Sequence, residues 1–213
     1  QKGLGKISRE TGNVMFFNFF EKLDPAISYW DIEIDEQDNI WLASSAGLLV
    51  LKDTDNGLEL VHEYFKGSFI DYIFKGDSAI WLQVTVGHVY SINTNSISGE
   101  IQNVELLKAE LIERSGDILA IYEDDNRNIW FRANNKLVIF SVNEGRVIQV
   151  LDSSNGINSL VYGVHETPAG LWLTTRSDGV IQLDKKSFAL INKQKRDNQS
   201  GFITSTTAVE NSI

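Results

Sequence analysis

Four tryptophans sit in one repeated local context, and that repeat limits the fold more than any other feature of this chain. The copies are Asn39-Ile40-Trp41-Leu42, Ala79-Ile80-Trp81-Leu82, Asn128-Ile129-Trp130-Phe131 and Gly170-Leu171-Trp172-Leu173, with the tryptophans 40, 49 and 42 residues apart. An alternating apolar run precedes each: Trp30–Asp35, Ile70–Phe74, Leu119–Asp124 and Val161–Glu166. Aligned on tryptophan, the four copies need no gap, and a polar turn joins this run to the next. Asn39, Asn128 and Gly170 stand two residues before tryptophan, where a tight hairpin calls for a residue tolerant of positive φ; Ala79 is the exception. A second hairpin follows each tryptophan through Gly47–Leu51, Gly87–Ile92, Lys136–Phe140 and Gly179–Leu183. Each repeat therefore reads strand A, strand B with tryptophan, strand C and an outer strand D.

A four-stranded sheet with two apolar faces cannot bury both alone, whereas a ring of such sheets covers each face with a neighbour. A period of 40–50 residues is that of one propeller blade. The expected fold is all-β: a β-propeller of four legible four-stranded blades with half-blades at both ends. The chain reads as one propeller domain over 1–213, with blades near 27–66, 67–112, 116–152 and 158–192 and partial blades at 1–22 and 200–213. Trp41, Trp81, Trp130 and Trp172 are expected to anchor the packing between blades, since a tryptophan recurring with the fold period is core. The extra residues of the longest interval, Val104–Glu113, suit a short helical turn or an extended outer strand. The half-blades either pair to close a five-bladed ring or belong to a longer propeller. The second is preferred because five-bladed closure at this size is uncommon. Phe16, Phe17, Phe19 and Phe20 would then mark a surface that neighbours cover, and a homodimer is one way to cover it.

The 213 residues include no cysteine, which excludes disulfides, thiolate metal sites and thiol nucleophiles. The net charge of −10 and the scattered Lys and Arg argue against nucleic acid and anionic membranes as partners. No apolar run approaches a bilayer span, and no signal-peptide core follows the first residues. The three histidines, His62, His88 and His165, share no metal-ligand spacing. Asp35, Asp38, Asp124 and Asp125 lie in or beside turns, where aspartate stabilises local backbone. No metal and no cofactor is expected.

The stretches Ile34–Leu48 and Ile121–Trp130, with acidic strand, polar turn, Ile-Trp and then small residues and Gly-Leu in the first, resemble the two-component-regulator propeller repeat. Asn155–Leu160 resembles the lead-in of such blades. Val84-Thr85-Val86 and Lys136 depart from the pattern. The resemblance implies a periplasmic, non-catalytic sensor propeller whose output, a histidine kinase or diguanylate cyclase, lies elsewhere in the full-length protein. The implied partners are the rest of the signalling chain and a small-molecule or oligosaccharide signal. Two alternatives stand beside it. One is a protein-interaction platform. The other is an enzyme resembling the streptogramin-inactivating lyases, whose blades carry a similar core; here it would have to use His165 and Glu166.

In a propeller, the loops before strand A and between strands B and C share one rim. That rim holds Ser28, Tyr29, Ser44, Asp117, Asn134, Asn158 and Arg176, with Arg132 on strand B beneath. Tyr29 is a candidate to stack on a sugar or aromatic ring. Arg132 and Arg176 are candidates to clamp a carboxylate or sulfate, and Asn134 is a further rim candidate for ligand contact.

Overall fold

The computed structural model describes residues 4–16, 27–55, 57–85, 88–95, 101–103 and 118–194. They are almost entirely antiparallel β-structure in four sheets of four strands and one of two. The chain divides into two compact units, 1–84 with 90–103, and 85–89 with 104–213. The expected insertion at Val104–Glu113, Phe17, Phe19, Phe20 and the C-terminal half-blade lie outside the described residues.

The first unit opens with a hairpin of β1 (Gly5–Ile7) and β2 (Val14–Phe16). A four-stranded sheet follows: β3 (Tyr29–Ile34), β4 (Asn39–Ser44), β5 (Gly47–Thr54) and β6 (Gly57–Tyr64). The next sheet is β7 (Ile73–Lys75), β8 (Ala79–Thr85), β9 (His88–Asn93) and β10 (Ile101–Asn103). Side chains alternate along each strand, so each sheet offers two faces. Trp41, Ala43, Leu48 and Val50 pack from one face of the β3–β6 sheet onto Ile70, Ile73, Ile80, Leu82 and Ile92. Trp41 is fully buried and stacks on Tyr64 at 5.8 Å. Removing an indole of ~150–250 Å² from water contributes roughly 4–6 kcal/mol as an upper bound. The other face gathers Leu42, Leu49, Leu51 and Leu58, with Leu4, Tyr29 and Ile40 against them.

The second unit holds the sheet β11 (Ile118–Glu123), β12 (Asn128–Ala133), β13 (Lys136–Ser141) and β14 (Arg146–Leu151). Its companion is β15 (Val161–Thr167), β16 (Gly170–Thr175), β17 (Val180–Leu183) and β18 (Leu190–Gln194). Trp130, Leu137, Ile139 and Leu151 of the first sheet pack against Val161, Val164, Leu171, Leu173, Ile181 and Leu183 of the second. Trp81 is buried, whereas Trp172 is only half-buried.

Two sequence expectations about the A–B turn are corrected. Glu33 pairs with Trp41 and Tyr122 with Trp130, a separation of eight, while Phe74 pairs with Trp81 and His165 with Trp172, a separation of seven. The gapless alignment therefore hid a one-residue difference in turn length. Asn39 and Asn128 also do not supply the positive φ. The residues just before them do, Asp38 at 59° and Arg127 at 64°; only Gly170, at 140°, fits the expectation. A side chain at Gly170 would meet the Leu183 carbonyl at 2.6 Å.

The reason lies in a buried carboxylate. Asp35 accepts the backbone N–H groups of Gln37 and Asn39, the Asn39 side-chain amide and the Trp41 indole N–H at 2.8–2.9 Å. Asp124 repeats this with Asn126, Asn128 and Trp130 at 2.9–3.0 Å. The asparagine is selected for its amide donor, and the left-handed residue is displaced one position upstream. In the last sheet the shorter turn puts Thr167 in the role, its hydroxyl accepting from the Trp172 indole at 3.2 Å. For Asp35, burial opposes ionisation, but hydrogen bonds from Asn39, Trp41 and Gln37 outweigh it and hold the carboxyl below its ordinary value.

Candidate functional site: a braced polar cleft in the second unit

The two loop types of the rim meet in the second unit. Asn134 and Asn135 form the turn between β12 and β13, and Asn134 adopts φ 53°, which asparagine tolerates in two-residue hairpin turns. Asp152 through Leu160 connect β14 to β15, and Arg176 and Ser177 stand in the turn between β16 and β17. Together they enclose two adjoining depressions. One, of about 300 Å³, is lined by Asn134, Asn135, Lys136, Asp152, Ser153 and Asn158 over a floor of Ala133 and Ile157. The other, of about 700 Å³, is lined by Asn134, Asn135, Asn158, Ser159, Leu160, Arg176 and Ser177.

The loops carrying these groups are fixed from behind. Asp152 caps a short 3-10 turn, Ser153–Asn155, with reciprocal side-chain and backbone bonds, and Gly156 closes it at φ 84°. Hydrogen bonds from the Ser154 side chain and backbone hold the Asp152 carboxyl below its ordinary value, so it is an anion at the cleft edge. Asp178 is buried and accepts the Asn158 N–H at 2.9 Å. Lys193, on the outer strand β18, pairs with Asp178 at 3.0 Å and donates to the Gly156 carbonyl at 2.9 Å. Ser177 donates to the buried Ser159 hydroxyl through both its N–H and its own hydroxyl, and the Arg176 N–H donates to the Leu160 carbonyl at 2.8 Å. A site whose walls are cross-linked in this way loses little freedom on binding. Its exposed side chains, Asn134, Asn135, Asn158 and Arg176, offer amide donors and acceptors beside a guanidinium.

Of the residues singled out in the sequence, the structure brings Asn134, Asn158 and Arg176 together. Arg132 is half-buried with its guanidinium 5.7 Å from the Tyr162 ring centre, and it is not among the side chains that line the cleft. Tyr29 belongs to the first unit. Its half-buried ring packs against the Leu42–Leu49–Leu51–Leu58 cluster and its hydroxyl is buried, and burial pushes the phenol up. Ser44 is buried, and Asp117 lies outside the described residues. Asp178, Lys193, Ser159 and Ser177 escaped the sequence reading. Asp178-Gly179 was readable as a turn, but nothing in the sequence joins it to Lys193, fifteen positions on.

The geometry does not assemble His165 and Glu166 into an acid–base pair. They alternate along β15, so their side chains leave opposite faces. Glu166 accepts from the Tyr122 hydroxyl at 2.8 Å and pairs with Lys185 at 2.5 Å. Burial opposes its ionisation, yet Lys185, Tyr122 and the Asp125 N–H together hold its carboxyl below the ordinary value. Burial and the bond to Glu166 push the Tyr122 phenol well above the ordinary range. Among the described residues, no group of three or more His, Asp or Glu side chains is placed to hold a metal ion.

No family model matches the sequence, and no curated protein is detectably similar to it. Solved structures are similar. The extracellular domain of BT4673 from B. thetaiotaomicron, described as a one-component system, superposes with a TM-score of 0.65 at 16% identity, over 95% of this chain and 27% of that one. A structure of the same domain described as belonging to a hybrid two-component system gives 0.66 at 14% identity, over 95% and 28%. The WD40 domain of Neurospora crassa Pan2 gives 0.54 at 15% identity, over 82% and 52%. The chain spans about a quarter of the BT4673 domain. At these identities the likeness is one of architecture, and together with the four-stranded antiparallel sheets it establishes that this chain has the β-propeller fold.

Proposed function

We propose that the chain is part of a non-catalytic, extracytoplasmic sensor propeller, and that the cleft of the second unit receives a small polar signal molecule. The observation that carries this reading is the cleft itself: exposed amides and a guanidinium on loops braced by a buried ion pair and a serine pair. The architectural likeness to the extracellular domain of BT4673 supports the sensor class. The sequence resemblance to the two-component-regulator repeat points the same way, with the output module elsewhere in the full-length protein. Arg176 suits a carboxylate or sulfate, and the asparagines suit hydroxyls, so an acidic sugar or a short oligosaccharide fits the chemistry.

Thermal denaturation against a panel of uronic acids, sulfated sugars and neutral oligosaccharides tests this. A ligand at 100 times its Kd stabilises by about 2.7 kcal/mol, which raises the melting temperature of a chain this size by roughly 5–10 °C. The rise, taken for each variant relative to its own ligand-free melting temperature, should vanish in Arg176→Ala and shrink in Asn158→Ala. Stabilisation by no member of the panel, together with a dimer that forms with concentration, would favour a protein-docking platform instead.

A further inference from the structure

The fifth tryptophan, Trp30, stands outside the repeat, and the first unit presents it in a way core packing does not explain. Tyr29 pairs with Ser44 and Asp31 with Ala43, so Trp30 is the extra residue of a β-bulge. Bulges re-aim side chains, and this one turns the indole toward the following sheet. There it meets Phe69 edge to face, with ring centres 5.7 Å apart and planes at 61°. Both rings remain open to solvent, Trp30 at 56% and Phe69 at 52% exposure.

The loop that offers Phe69 is anchored. Phe65 (φ 51°) and Gly67 (φ 82°) turn it, the Gly67 N–H donates to the Ala46 carbonyl and the Ile70 N–H to the Ser44 carbonyl, and Ile70 is fully buried. Asp31 ties the two elements together by accepting the Ile73 N–H at 3.1 Å. The corner is acidic. Residues 27–36 carry Asp31 and Glu33 besides Asp35, which is buried in its turn, and Glu36, which pairs with Lys75, and residues 67–74 carry the exposed Asp71, with no lysine or arginine in either segment. The flanking cations are engaged, Lys66 with Glu63 and Lys75 with Glu36.

We propose that Trp30 and Phe69 form a binding corner for a small organic cation bearing an alkylammonium group. Two ring faces set at an angle are attractive to a cation through their quadrupoles, and neighbouring carboxylates on a chain of net charge −10 add a long-range pull. The size of the feature favours a small ligand over a protein. Two half-exposed rings offer on the order of 100 Å² each, against about 800 Å² per partner in a standard protein interface. The inference concerns the first unit alone and stands or falls apart from the cleft.

The test is an NMR titration of the tryptophan indole N–H signals with choline, the Trp30 signal being assigned by its loss in Trp30→Phe. A saturable shift confined to that signal is expected. Its uncharged carbon isostere, dimethylbutanol, should bind about ten-fold more weakly. Phe69→Ala, followed through the Trp30 signal, should weaken choline about ten-fold and Asp71→Asn about two-fold, and Trp30→Ala, followed by isothermal titration calorimetry, should weaken it about ten-fold, with unchanged melting temperatures. Arg176→Ala should leave choline binding intact, which separates this site from the cleft. Equal binding of dimethylbutanol, saturation by cellobiose but not choline, or no saturable shift would each overturn the proposal. So would a dimer that Trp30→Ala dissolves.

Discussion

The two ends of the second unit use the same kinds of side chain to opposite effect. At the end where β11 turns into β12, Asp124 is surrounded by Asn126, Asn128 and Trp130, and Glu166 by Tyr122, Lys185 and the Asp125 N–H. Carboxylates, amides and an indole there are turned inward and satisfied by one another. At the end where β12 turns into β13, Asn134, Asn135, Asn158 and Arg176 face solvent, and the buried polar groups, Asp178 and Ser159, sit one layer behind them. One end is a structural clamp that the repeat pattern encodes. The other is a display surface whose side chains the repeat leaves variable, which is where a shared fold acquires a particular function.

Substitutions should separate the two ends, and the largest effect belongs to the clamp. Asp124→Ala leaves the Asn128 amide and the Trp130 indole N–H buried without an acceptor, and should cost about 3–5 kcal/mol in urea denaturation. A loss below about 1 kcal/mol would mean that the clamp contributes little. Lys193→Met, behind the cleft, strands the buried Asp178 and should cost about 2–3 kcal/mol. It should also speed amide exchange across 156–160, because the Gly156 and Asn158 contacts loosen; unchanged exchange there would show that the brace does not hold the loop.

A smaller effect is expected from pH. The folded-state carboxyl of Glu166 is held below its ordinary value, so its contribution is complete above the unfolded value near 4.3 and is lost as pH falls through the lower, folded one. Stability should therefore fall on acidification below about pH 4, and Glu166→Gln should flatten part of that slope. An unaltered slope would assign the acid sensitivity to other carboxylates. Arg176→Ala should have the smallest effect, below about 1 kcal/mol, as for an exposed side chain whose backbone bond to Leu160 survives; a larger loss in urea denaturation would assign the guanidinium a structural role.

The fold was legible because it repeats. Trp41, Trp81, Trp130 and Trp172 mark the B strands, and each flanking A and C strand falls close to where alternation places it, β7 being shorter than expected. The turn chemistry was harder to read. Asn39 and Asn128 suggest left-handed backbone in the sequence, whereas in the fold their amides serve a buried aspartate instead. The rim was readable as a location: topology places Asn134, Asn158 and Arg176 on it, and the structure joins them. Exposure was not readable. Tyr29 and Trp30 are adjacent in sequence, yet the first is packed and the second is displayed, because a bulge between them and Asp31 breaks the alternation on which any such reading depends. The brace from Lys193 to Asp178 joins an outer strand to a turn through tertiary structure alone.

The most direct test of the cleft as a recognition surface follows the side-chain amide signals of Asn134, Asn135 and Asn158 and the guanidinium Nε–H of Arg176 during titration with glucuronate. Saturable shifts confined to these four groups and their loop, absent in Arg176→Ala, are the expected result. Shifts that avoid them, appear equally in Arg176→Ala, or never saturate would contradict a recognition role for this end of the unit.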